Sequence, residues 1–478
     1  MQLYNTLSRK IDEVKPSKNL PAQAGKTIGL YACGPTVYDY THLGHLRKYV
    51  MDDVLIRALR HAGFTVEHVM NITDVGHLVS DDDTGEDKLE KGAKKHNLSV
   101  WELAHKFEDF FWYSLKEMNV ERPNISCRAT DHIEEQLKLV LTLEKKGFTY
   151  VIEGDGVYFD TSKLTDYPAF AKTCLPAGRA PAGQVANYSR VDVIGKKNPT
   201  DFALWKFEKP GEDRQMVWPS PWHQRSFPGW HIECSAMSMK YLGDQFEIHT
   251  GGIDHIPVHH TNEIAQAEAA TGKKPFVKIW VHHNFLQVEG EKMSKSLGNF
   301  YTIDDLLQQG FLPMALRLLF LTAHYRSEMN FTWDNLQGAQ KTWERLSNKF
   351  LHLEKAKVKN LGKKAQSYQH QFFTLIEDDL KTPEALALLW EMLKDKELTE
   401  NDQAELLVEF NQVLGFDFRQ NEEIIPEAVQ DLLARREATK KDKNFAEADK
   451  LRVEIKTMGY EVLDTARGSV IKKSFSHE

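Results

Sequence analysis

The stretch that decides the fold is TIGLYACGPTVYDYTHLGHLRKYVMDDVLIRALRHAG, residues 27–63. Its first part, residues 27–33, is a short apolar run typical of a buried strand. Gly34-Pro35 ends that run, and apolar residues at helical spacing between Leu46 and Leu59 predict an amphipathic helix. Residues 64–72 then resemble a second strand. The order strand–helix–strand predicts a βαβ unit, the building block of a parallel nucleotide-binding sheet.

A second unit of the same kind is predicted far downstream. Residues 246–250 resemble a strand, Gly251-Gly252 a turn, residues 257–271 a helix and residues 276–281 another strand. About 170 residues separate the two units, so we expect one sheet that is interrupted by a large insertion. From residue 336 to residue 414 the spacing of apolar residues predicts a run of helices.

We therefore predict an α/β protein. It has a Rossmann-like parallel-sheet catalytic domain that is split by an insertion and followed by a helical bundle and a small mixed α/β domain. The chain of 478 residues is long enough for about three or four domains. The predicted segments are residues 1–135 and 226–330 for the two halves of the catalytic domain, 136–225 for the inserted subdomain, 331–420 for the bundle and 421–478 for the C-terminal domain.

The composition restricts the class of partner. Hydrophobic residues make up 41% of the chain and charged residues 27%, as in folded proteins. The formal net charge of −8 argues against a protein that binds nucleic acid over its whole surface, although a local basic face is compatible with it. The first residues lack the apolar run of a signal peptide, and no run approaches the roughly 18–20 apolar residues of a membrane span. We therefore expect a cytoplasmic protein without a membrane segment.

His42-Leu43-Gly44-His45 falls where the first predicted strand gives way to the first helix. A helix N-terminus attracts anions through its free N–H groups and dipole, and Gly44 lets a nucleotide approach the backbone. His42 and His45 could donate hydrogen bonds to phosphate oxygens during displacement at an α-phosphate. Two ordinary surface histidines near a turn would give the same pattern, so this tetrapeptide alone leaves both explanations open.

Lys292-Met293-Ser294-Lys295-Ser296 lies in a polar segment after the second predicted unit. Two lysines one helical turn apart, with small hydroxyl side chains between them, can surround a triphosphate and neutralise the pyrophosphate that leaves. Short basic runs are more often solvated loops. The two segments together are more specific than either alone, because a split nucleotide-binding fold requires a phosphate-binding segment from each half.

These segments match the HIGH and KMSKS signatures, and the sequence resembles class I aminoacyl-tRNA synthetases. The resemblance narrows to the family of cysteinyl-tRNA synthetases and covers nearly the whole chain. Its markers are YACGPTVYD (31–39), NITD (71–74), PGWHIECS (228–235), HHTNE (259–263) and DDLKTP (378–383). Leu43 replaces the usual Ile and leaves the apolar character unchanged. Val75-Gly76-His77-Leu78 replaces an acidic continuation, which we expect to affect local loop contacts and not the core chemistry.

Cys33, Cys234, His259 and Glu263 form a candidate metal site. His259 and Glu263 are four residues apart on a predicted helix and so share one face, whereas His260 points about 100° away. Two Cys, one His and one Glu suit zinc. However, no CxxC pair is present, and small buried thiols with a surface His–Glu pair would give the same pattern. The resemblance favours zinc, because all four positions match the family's zinc ligands; a bound zinc would select the cysteine thiol over the harder serine hydroxyl.

The other site residues are implied by the resemblance. The residues expected to line the cysteine pocket are Gly34, Thr36, Thr73 and Trp230. The residues expected to bind ATP, which carries magnesium, are His42, Gly44, His45, Gly252, Asp254, Lys292 and Lys295, and of these His42, His45, Lys292 and Lys295 are the expected catalytic residues. A lone Trp is also explained as a core residue, whereas a carboxylate after Gly-Gly at a strand end is suited to ribose hydroxyls.

The C-terminal segment is a candidate RNA-binding element. Residues 435–473 carry eleven basic and seven acidic side chains, a local charge of +4. A solvated helix face is the ordinary explanation of such a run. After a helical bundle in a synthetase-like chain, the same residues could contact tRNA, and the resemblance implies an anticodon-binding domain. The basic residues concerned are Arg435, Arg436, Lys440, Lys441 and Lys443.

The leading hypothesis is ATP-dependent ligation of L-cysteine to tRNA(Cys) by a monomeric enzyme, through a cysteinyl-adenylate. A cysteine ligase with a small amine acceptor, of the mycothiol-pathway type, would use the same adenylate but would not need the long C-terminal region. A zinc hydrolase built on His259 and Glu263 would leave both phosphate-binding segments unexplained. A non-catalytic RNA-binding relative is disfavoured by the intact signature segments.

Overall fold

The computed structural model describes residues 1–16, 26–75, 88–165, 167, 194–294, 297–353, 361–418, 426–442, 444–465 and 468–473. Three features of the sequence lie outside these residues: the segment 76–78 that follows Val75, the pair Lys295-Ser296, and Lys443. None of the described helices has the length and apolar character that a membrane-spanning segment requires.

The described elements alternate between strands and helices in the first two thirds of the chain and are mainly helical after that. The strands are β1 (Gln2–Asn5), β2 (Lys10–Glu13), β3 (Thr27–Ala32), β4 (Thr65–Ile72), β5 (Ile125–Arg128), β6 (Thr149–Ile152), β7 (Gly156–Phe159), β8 (Phe202–Phe207), β9 (Ser226–Pro228), β10 (Phe246–Gly252), β11 (Val277–His283), β12 (Leu286–Val288), β13 (Glu291–Lys292), β14 (Met329–Phe331), β15 (Tyr460–Thr465) and β16 (Gly468–Lys473). The helices are α1 (Leu43–His61), α2 (Lys88–His96), α3 (Val100–Glu117), α4 (Ile133–Lys145), α5 (Trp230–Leu242), α6 (Thr261–Thr271), α7 (Ile303–Gln308), α8 (Pro313–Leu321), α9 (Trp333–Leu353), α10 (Lys363–Glu377), α11 (Thr382–Lys394), α12 (Glu400–Leu414), α13 (Glu427–Lys441) and α14 (Phe445–Thr457).

The prediction of one parallel sheet built from both halves is confirmed. The strand order is β11-β10-β3-β4-β5. β3 is buried along its whole length, as expected for a parallel strand in the middle of a sheet. β10, from the second half, pairs with β3, from the first half, from Ile248 opposite Leu30 to Thr250 opposite Ala32. This register brings the carboxyl ends of both strands to the same edge of the sheet.

The inserted subdomain contains an antiparallel sheet in the order β6-β7-β8-β9. Its core includes the buried rings of Phe159, Phe202 and Trp205. The predicted boundary at 135/136 lies within α4, and the boundary at 225/226 separates β9 from β8, its partner in the inserted sheet. The boundary at 330/331 likewise lies within β14. We therefore propose that the inserted unit runs from residue 149 to residue 228.

The helical bundle and the C-terminal domain agree with the predicted fold class. The bundle core includes Phe372 and Phe410, whose rings stack with centroids 3.8 Å apart. In the C-terminal domain α13 packs against α14, and β15 pairs with β16 in an antiparallel hairpin. A small apolar cluster that includes Leu451 and Ile455 forms the core of this domain.

One buried ion pair joins α1 to the helices that follow the sheet. A guanidinium nitrogen of Arg317, in α8, lies 2.5 Å from a carboxylate oxygen of Asp53, in α1, and both side chains are buried. The same guanidinium donates to the carbonyls of Leu414 and Met118, at the ends of α12 and α3, over 2.8 Å each. Arg57 also binds Asp53, at 2.8 Å, from a more exposed position. Since a buried charge requires such partners, these contacts fix α1 relative to the bundle.

Arg317→Met should destabilise the protein more than Arg57→Met, its matched control on the same carboxylate. Removal of the buried guanidinium leaves two carbonyls and part of the Asp53 charge without partners, so we expect a loss of about 3–5 kcal/mol in the free energy of unfolding. Arg57→Met removes a more exposed partner and should cost about 1 kcal/mol or less. Urea unfolding measures both losses. Equal losses would show that burial does not determine how much each ion pair with Asp53 contributes to stability.

Candidate functional site

The candidate site lies at the carboxyl edge of the central sheet, where the two halves meet. Cys33 directly follows β3, and its backbone N–H donates to the carbonyl of Thr250, in β10, over 3.0 Å. Helix α1 also begins at this edge. In open parallel sheets, ligands bind in the crevice outside the carboxyl ends of the strands.

The four predicted metal ligands come together from separate parts of the chain. Cys33 follows β3, Cys234 lies in α5, His259 lies in the turn before α6, and Glu263 lies in α6. All four side chains are buried, and their ligand atoms lie within 4.8 Å of one another. The structure therefore brings together residues that are as much as 230 positions apart in the sequence.

The donor set and its geometry fit a zinc ion. Zinc is held tetrahedrally by sulfur, nitrogen and oxygen ligands at about 2.0–2.3 Å, which places neighbouring ligand atoms about 3.3–3.8 Å apart. Oε1 of Glu263 is buried and has no well-aligned hydrogen-bond donor among the described residues, although Nε2 of His259 lies only 3.0 Å away. Two groups directed at a common ion produce such a pair, which is close but poorly aligned for a hydrogen bond.

The structure differs from the helical expectation at His260. Ile256–His260 is a π-helix that precedes α6, and its wider turn brings both His259 and His260 towards Glu263. Nε2 of His260 is 3.3 Å from Sγ of Cys33 and 3.9 Å from Oε1 of Glu263. Both histidines therefore approach Glu263, and His259 is the closer of the two, as expected for the partner of Glu263.

A second set of candidate ligands overlaps the first. Cys33, His249, His260 and Glu263 also present ligand atoms within 4.8 Å of one another. His249 contacts the other oxygen of Glu263, Oε2, at 3.0 Å, and His260 contacts His282 at 2.7 Å. A neighbour that binds the second atom of a ligand orients that ligand. The roles of His249 and His282 could not be predicted from the sequence, in which the available signal was the density of histidines in this part of the chain.

The charges in the cluster compensate one another. Burial raises the pKa of Glu263, but His249 and His259 outweigh burial and lower this pKa to about 2. Burial lowers the pKa of His259, but the nearby Cys234 and Glu263 outweigh burial and raise it to about 10. A hydrogen bond with Cys33, together with burial, raises the pKa of Cys234. The cluster thus favours a cation among its donors, a role that a divalent metal fulfils once the thiols have ionised.

His42 caps α1 in a defined protonation state. Its Nδ1 accepts a hydrogen bond from the backbone N–H of His45 over 3.3 Å, and the two imidazole rings stack with centroids 3.6 Å apart. Burial lowers the pKa of His42 to about 4, although Asp39 and Asp254 act in the opposite direction. His42 is therefore neutral at pH 7, and its proton lies on Nε2 because Nδ1 accepts. A Cβ on Gly44 would lie 3.0 Å from the His42 ring, which explains the small residue there.

The two signature segments meet at the start of α1. The backbone N–H of Leu43 donates to the carbonyl of Tyr301 over 2.9 Å. His42 forms an isolated antiparallel bridge with Thr302, and its ring centroid lies 5.1 Å from that of Phe300. The chain that follows the lysine-rich segment is thereby held against the helix N-terminus that we expect to bind phosphate.

Lys292 is exposed and belongs to the short strand β13. The helical spacing assumed for the two lysines therefore does not apply at Lys292, and Lys295 lies outside the described residues. After β13 the chain turns back on itself, because the Ser294 N–H donates to Oδ1 of Asn299 over 2.7 Å and Nδ2 of Asn299 donates to the Lys292 carbonyl over 3.2 Å.

The residues expected to contact the amino acid lie beside the metal cluster. A Cβ at Gly34 would lie 1.6 Å from the carbonyl oxygen of Asn71, so a larger residue cannot be accommodated unless the backbone moves. Thr36 and Thr73 form an isolated parallel bridge. The segment after β3 is thus packed directly against the segment after β4.

Trp230 and the turn after β10 border the same region. Trp230 begins α5, and its ring centroid lies 4.7 Å from that of His259. Gly252 ends β10, and Asp254 lies exposed on the 3₁₀ turn Ile253–His255. Asp254 is close enough to His42 to affect its pKa. The turn predicted to bind adenosine and the helix predicted to bind phosphate therefore share one edge of the sheet.

The basic residues of the C-terminal domain differ in their exposure and in their ion-pair partners. Arg436 is only 3% exposed and binds Asp464 at 2.8 Å, so it stabilises the domain and is not part of an exposed basic surface. Lys440 is half-buried and binds the same carboxylate at 2.9 Å. Arg435 and Lys441 are exposed. The sequence alone does not distinguish these residues, because Asp464, the partner of Arg436 and Lys440, lies on another element.

Comparisons with known proteins assign most of the chain to described families. Residues 19–341 match the family described as tRNA synthetases class I (C) catalytic domain, and residues 423–469 match the cysteinyl-tRNA ligase anticodon binding domain. The chain is 40% identical over 505 residues to the cysteine–tRNA ligase of Treponema denticola, with 99% of each chain covered. It is 43% identical over 472 residues to cysteine–tRNA ligase 1 of Burkholderia lata, with 98% of this chain and 96% of that protein covered.

Solved structures share the fold at low sequence identity. Mycobacterium tuberculosis methionyl-tRNA synthetase in complex with methionyl-adenylate has a TM-score of 0.55 at 16% identity, covering 81% of this chain and 89% of that chain. The Agrobacterium radiobacter K84 LeuRS, in a ternary complex with tRNA and LeuAMS, has a TM-score of 0.59 at 12% identity, covering 86% of each chain. At these identities the likeness shows the fold alone.

The two overlapping ligand sets make different predictions for metal content. We expect one zinc ion per purified chain, held by the set that contains both Cys234 and His259. Cys234→Ser and His259→Ala should each reduce the bound zinc severalfold, because a hydroxyl or a methyl group cannot replace the ligand. His260→Ala should keep one zinc at saturation but weaken its affinity by about 10–100-fold, as expected for a neighbour of the ligands. Elemental analysis and competition with a chelator measure both quantities.

Cys127→Ser is the matched control, since Cys127 is also buried but belongs to neither set. Its zinc content should equal that of the unsubstituted protein. Loss of zinc from His260→Ala but not from His259→Ala would show that the second set holds the ion.

Proposed function

Because the chain belongs to the cysteine–tRNA ligase family of class I aminoacyl-tRNA synthetases, we propose that it charges tRNA(Cys) with L-cysteine through a cysteinyl-adenylate and selects the amino acid with zinc. The observation that carries this proposal is the position of the buried Cys33, Cys234, His259 and Glu263 at the same sheet edge as the start of α1. A thiol bound at the cluster and a phosphate bound at the helix would be neighbours, as the activation of cysteine by ATP requires.

Selection of the amino acid rests on the softness of the thiol. A zinc ion in the cluster would bind a thiolate far more strongly than the hydroxyl of serine. Gly34, next to Cys33, and Trp230, whose ring lies 4.7 Å from that of His259, would contact the rest of the amino acid. A site whose main contact only cysteine can make rejects serine without a second, editing site.

Activation is an attack of the cysteine carboxylate on the α-phosphate of ATP, from which pyrophosphate leaves. The neutral His42 offers its Nε2–H to a phosphate oxygen, and the free N–H groups at the start of α1 offer further donors. These donors contribute most where negative charge develops in the transition state. Lys292 would neutralise the pyrophosphate, Asp254 would accept from the ribose hydroxyls, and magnesium would accompany ATP. Catalysis is positioning plus charge stabilisation, without a covalent enzyme intermediate.

The second half-reaction transfers the cysteinyl group to the terminal ribose hydroxyl of tRNA, and AMP leaves. The C-terminal domain would bind the anticodon region, in line with its match to an anticodon binding domain. Arg435 and Lys441 are exposed there and can contact phosphates. Phe445 is 61% exposed at the start of α14, and an exposed aromatic ring is suited to stack on an unpaired base.

The same observations disfavour the alternative functions. A cysteine ligase with a small amine acceptor would share the metal cluster and the phosphate site, but it has no need of a domain that matches an anticodon binding domain. A zinc hydrolase built on His259 and Glu263 would share the metal cluster, but it would leave the phosphate-binding edge unexplained.

Lys292→Ala should slow the formation of the adenylate by about 100-fold or more, because a lost donor to developing charge typically costs about 3–4 kcal/mol. The KM for cysteine should remain within a few-fold, since the lysine contacts pyrophosphate and not the amino acid. Cysteine-dependent ATP–pyrophosphate exchange measures both quantities. Lys273→Ala, an exposed lysine paired with Asp244, is the control and should be neutral. Exchange within a few-fold of the unsubstituted rate would remove Lys292 from this role.

Substitution of both Arg435 and Lys441 by alanine should impair tRNA charging and spare pyrophosphate exchange. Each lost phosphate contact lowers the slope of log affinity against log salt concentration by about 1, so the double variant should bind tRNA more weakly and with a slope reduced by about 2. Filter binding at several salt concentrations measures the slope. An unchanged slope would show that these two residues do not contact the RNA.

A further inference from the structure

A chain of buried hydrogen bonds connects the segments after β3 and β4 to α5. The backbone N–H of Gly34 donates to Oδ1 of Asn71 over 2.8 Å. Nδ2 of Asn71 donates to the hydroxyl of Thr73 over 3.0 Å. That hydroxyl donates to Oε2 of Glu233 over 3.1 Å. Asn71, Thr73 and Glu233 are all at most 2% exposed.

The direction of this chain is fixed from its Gly34 end. The N–H of Gly34 can only donate, so the Asn71 amide must turn its oxygen towards Gly34 and its NH2 group towards Thr73. The Thr73 hydroxyl accepts from that NH2 group and directs its only proton to Oε2 of Glu233. The Thr73 hydroxyl has one proton and two lone pairs, and Asn71 uses one of the lone pairs. The second lone pair of the hydroxyl can therefore accept one further hydrogen bond, which suits a positively charged donor.

This series of hydrogen bonds also lies directly beside the metal cluster. Gly34 follows Cys33, and Glu233 precedes Cys234, so both ends of the chain are one residue away from a proposed zinc ligand. Two acidic side chains approach each other here. Burial raises the pKa of Asp74 to about 6, and the negative charge of Glu233 adds to this shift, although hydrogen bonds from Thr130 lower it. A negative potential of this kind attracts a cation.

We propose that Asn71 and Glu233 are positioning residues that hold the Thr73 hydroxyl as an acceptor for the α-ammonium group of the substrate, with Glu233 as the buried counter-charge. This inference rests on the proposed function, because it takes Thr73 to line the cysteine pocket. It extends that function by separating the recognition of the amino acid into two parts: the cluster recognises the thiol, and the Gly34–Asn71–Thr73–Glu233 chain recognises the ammonium group.

The test compares two ligands that differ in the ammonium group. L-cysteine carries a thiol, a carboxylate and the ammonium group, whereas 3-mercaptopropionate carries only the first two. Both dissociation constants are measured by calorimetry on the zinc-loaded protein. Glu233→Gln, which keeps the shape but removes the charge, should weaken cysteine by about 10- to 100-fold, as expected for a charge-assisted hydrogen bond. The affinity for 3-mercaptopropionate should change less than threefold, and zinc content should stay at one per chain.

Further variants distinguish a specific effect on the Thr73 hydroxyl from a general disturbance of the site. Ser235→Ala removes another buried hydroxyl from the same helix, one that donates to Gln266, and it should weaken neither ligand. Thr73→Val should reproduce the loss seen with Glu233→Gln, whereas Thr73→Ser should retain most of the affinity for cysteine. If Glu233 acts through Thr73, the double variant Thr73→Val/Glu233→Gln should lose little more than Thr73→Val alone, because the two effects are not additive.

Equal weakening of cysteine and 3-mercaptopropionate by Glu233→Gln, or loss of zinc from that variant, would overturn the proposal and make Glu233 a structural residue. Additive losses in the double variant would overturn it as well. Failure of the proposed function is distinguishable from both outcomes, because the unsubstituted protein would then show no cysteine-dependent ATP–pyrophosphate exchange.

Discussion

The parallel pairing of β3 with β10 is the constraint on which the site depends. These strands belong to halves of the catalytic domain that are far apart in sequence, and their register sets which side chains meet at the carboxyl edge. Because side chains alternate across a strand, a slip of one residue would turn Cys33 to the opposite face of the sheet and separate it from Cys234. The hydrogen bond from the Cys33 N–H to the Thr250 carbonyl continues the ladder past the end of β3 and fixes this register. The large insertion between the halves is tolerated because the entropy of loop closure grows only slowly with length.

Two buried arginines hold α1 against this edge from opposite parts of the chain. Arg317 binds Asp53 and the ends of two further helices, as described above. Arg47, one turn into α1, is 1% exposed and donates to four backbone carbonyls over 2.7–3.1 Å. Two of those carbonyls, at Asn284 and Phe285, lie between β11 and β12, and the other two lie between α8 and β14. Since the start of α1 is the proposed phosphate site, its position relative to the second half is set by charged groups whose removal would leave buried acceptors unsatisfied.

The sequence predicts most of the fold because the decisive signals are local. The apolar run of β3, the break at Gly34-Pro35 and the helical spacing of α1 each lie within a few residues, so both βαβ units and the fold class follow from periodicity. Two features could not be predicted, because they depend on long-range contacts or on a small change in helix geometry. The π-helix at Ile256–His260 is not visible in a helical pattern, so the approach of His260 to the cluster was missed. Arg436 could not be recognised as a buried residue, because its partner Asp464 is on another element.

The candidate site could be assembled from the sequence only through its resemblance to a family, and the physical reason is the absence of any short ligand spacing. Cys33, Cys234 and the His259–Glu263 pair become neighbours only after the sheet has formed. Residues that act through another side chain carry still less signal. Asn71 and Glu233 resemble ordinary polar residues until the hydrogen bonds show which way each group must point.

In the proposed function, α5 carries one residue for the recognition of the thiol and one for the recognition of the ammonium group, so the two contacts differ in chemistry but share one helix. Glu233 and Cys234 are consecutive in a helix, so their side chains leave the axis about 100° apart and serve different groups of one small ligand. Serine would satisfy the ammonium contact and fail at the metal, and a thiol without an amine would do the reverse. Each proposed contact would contribute its own free energy, so the expected preference for cysteine over either competitor is the loss of one complete contact. A shift of α5 would disturb both contacts together, which is consistent with the dense packing of Trp230 and His259 at the start of that helix.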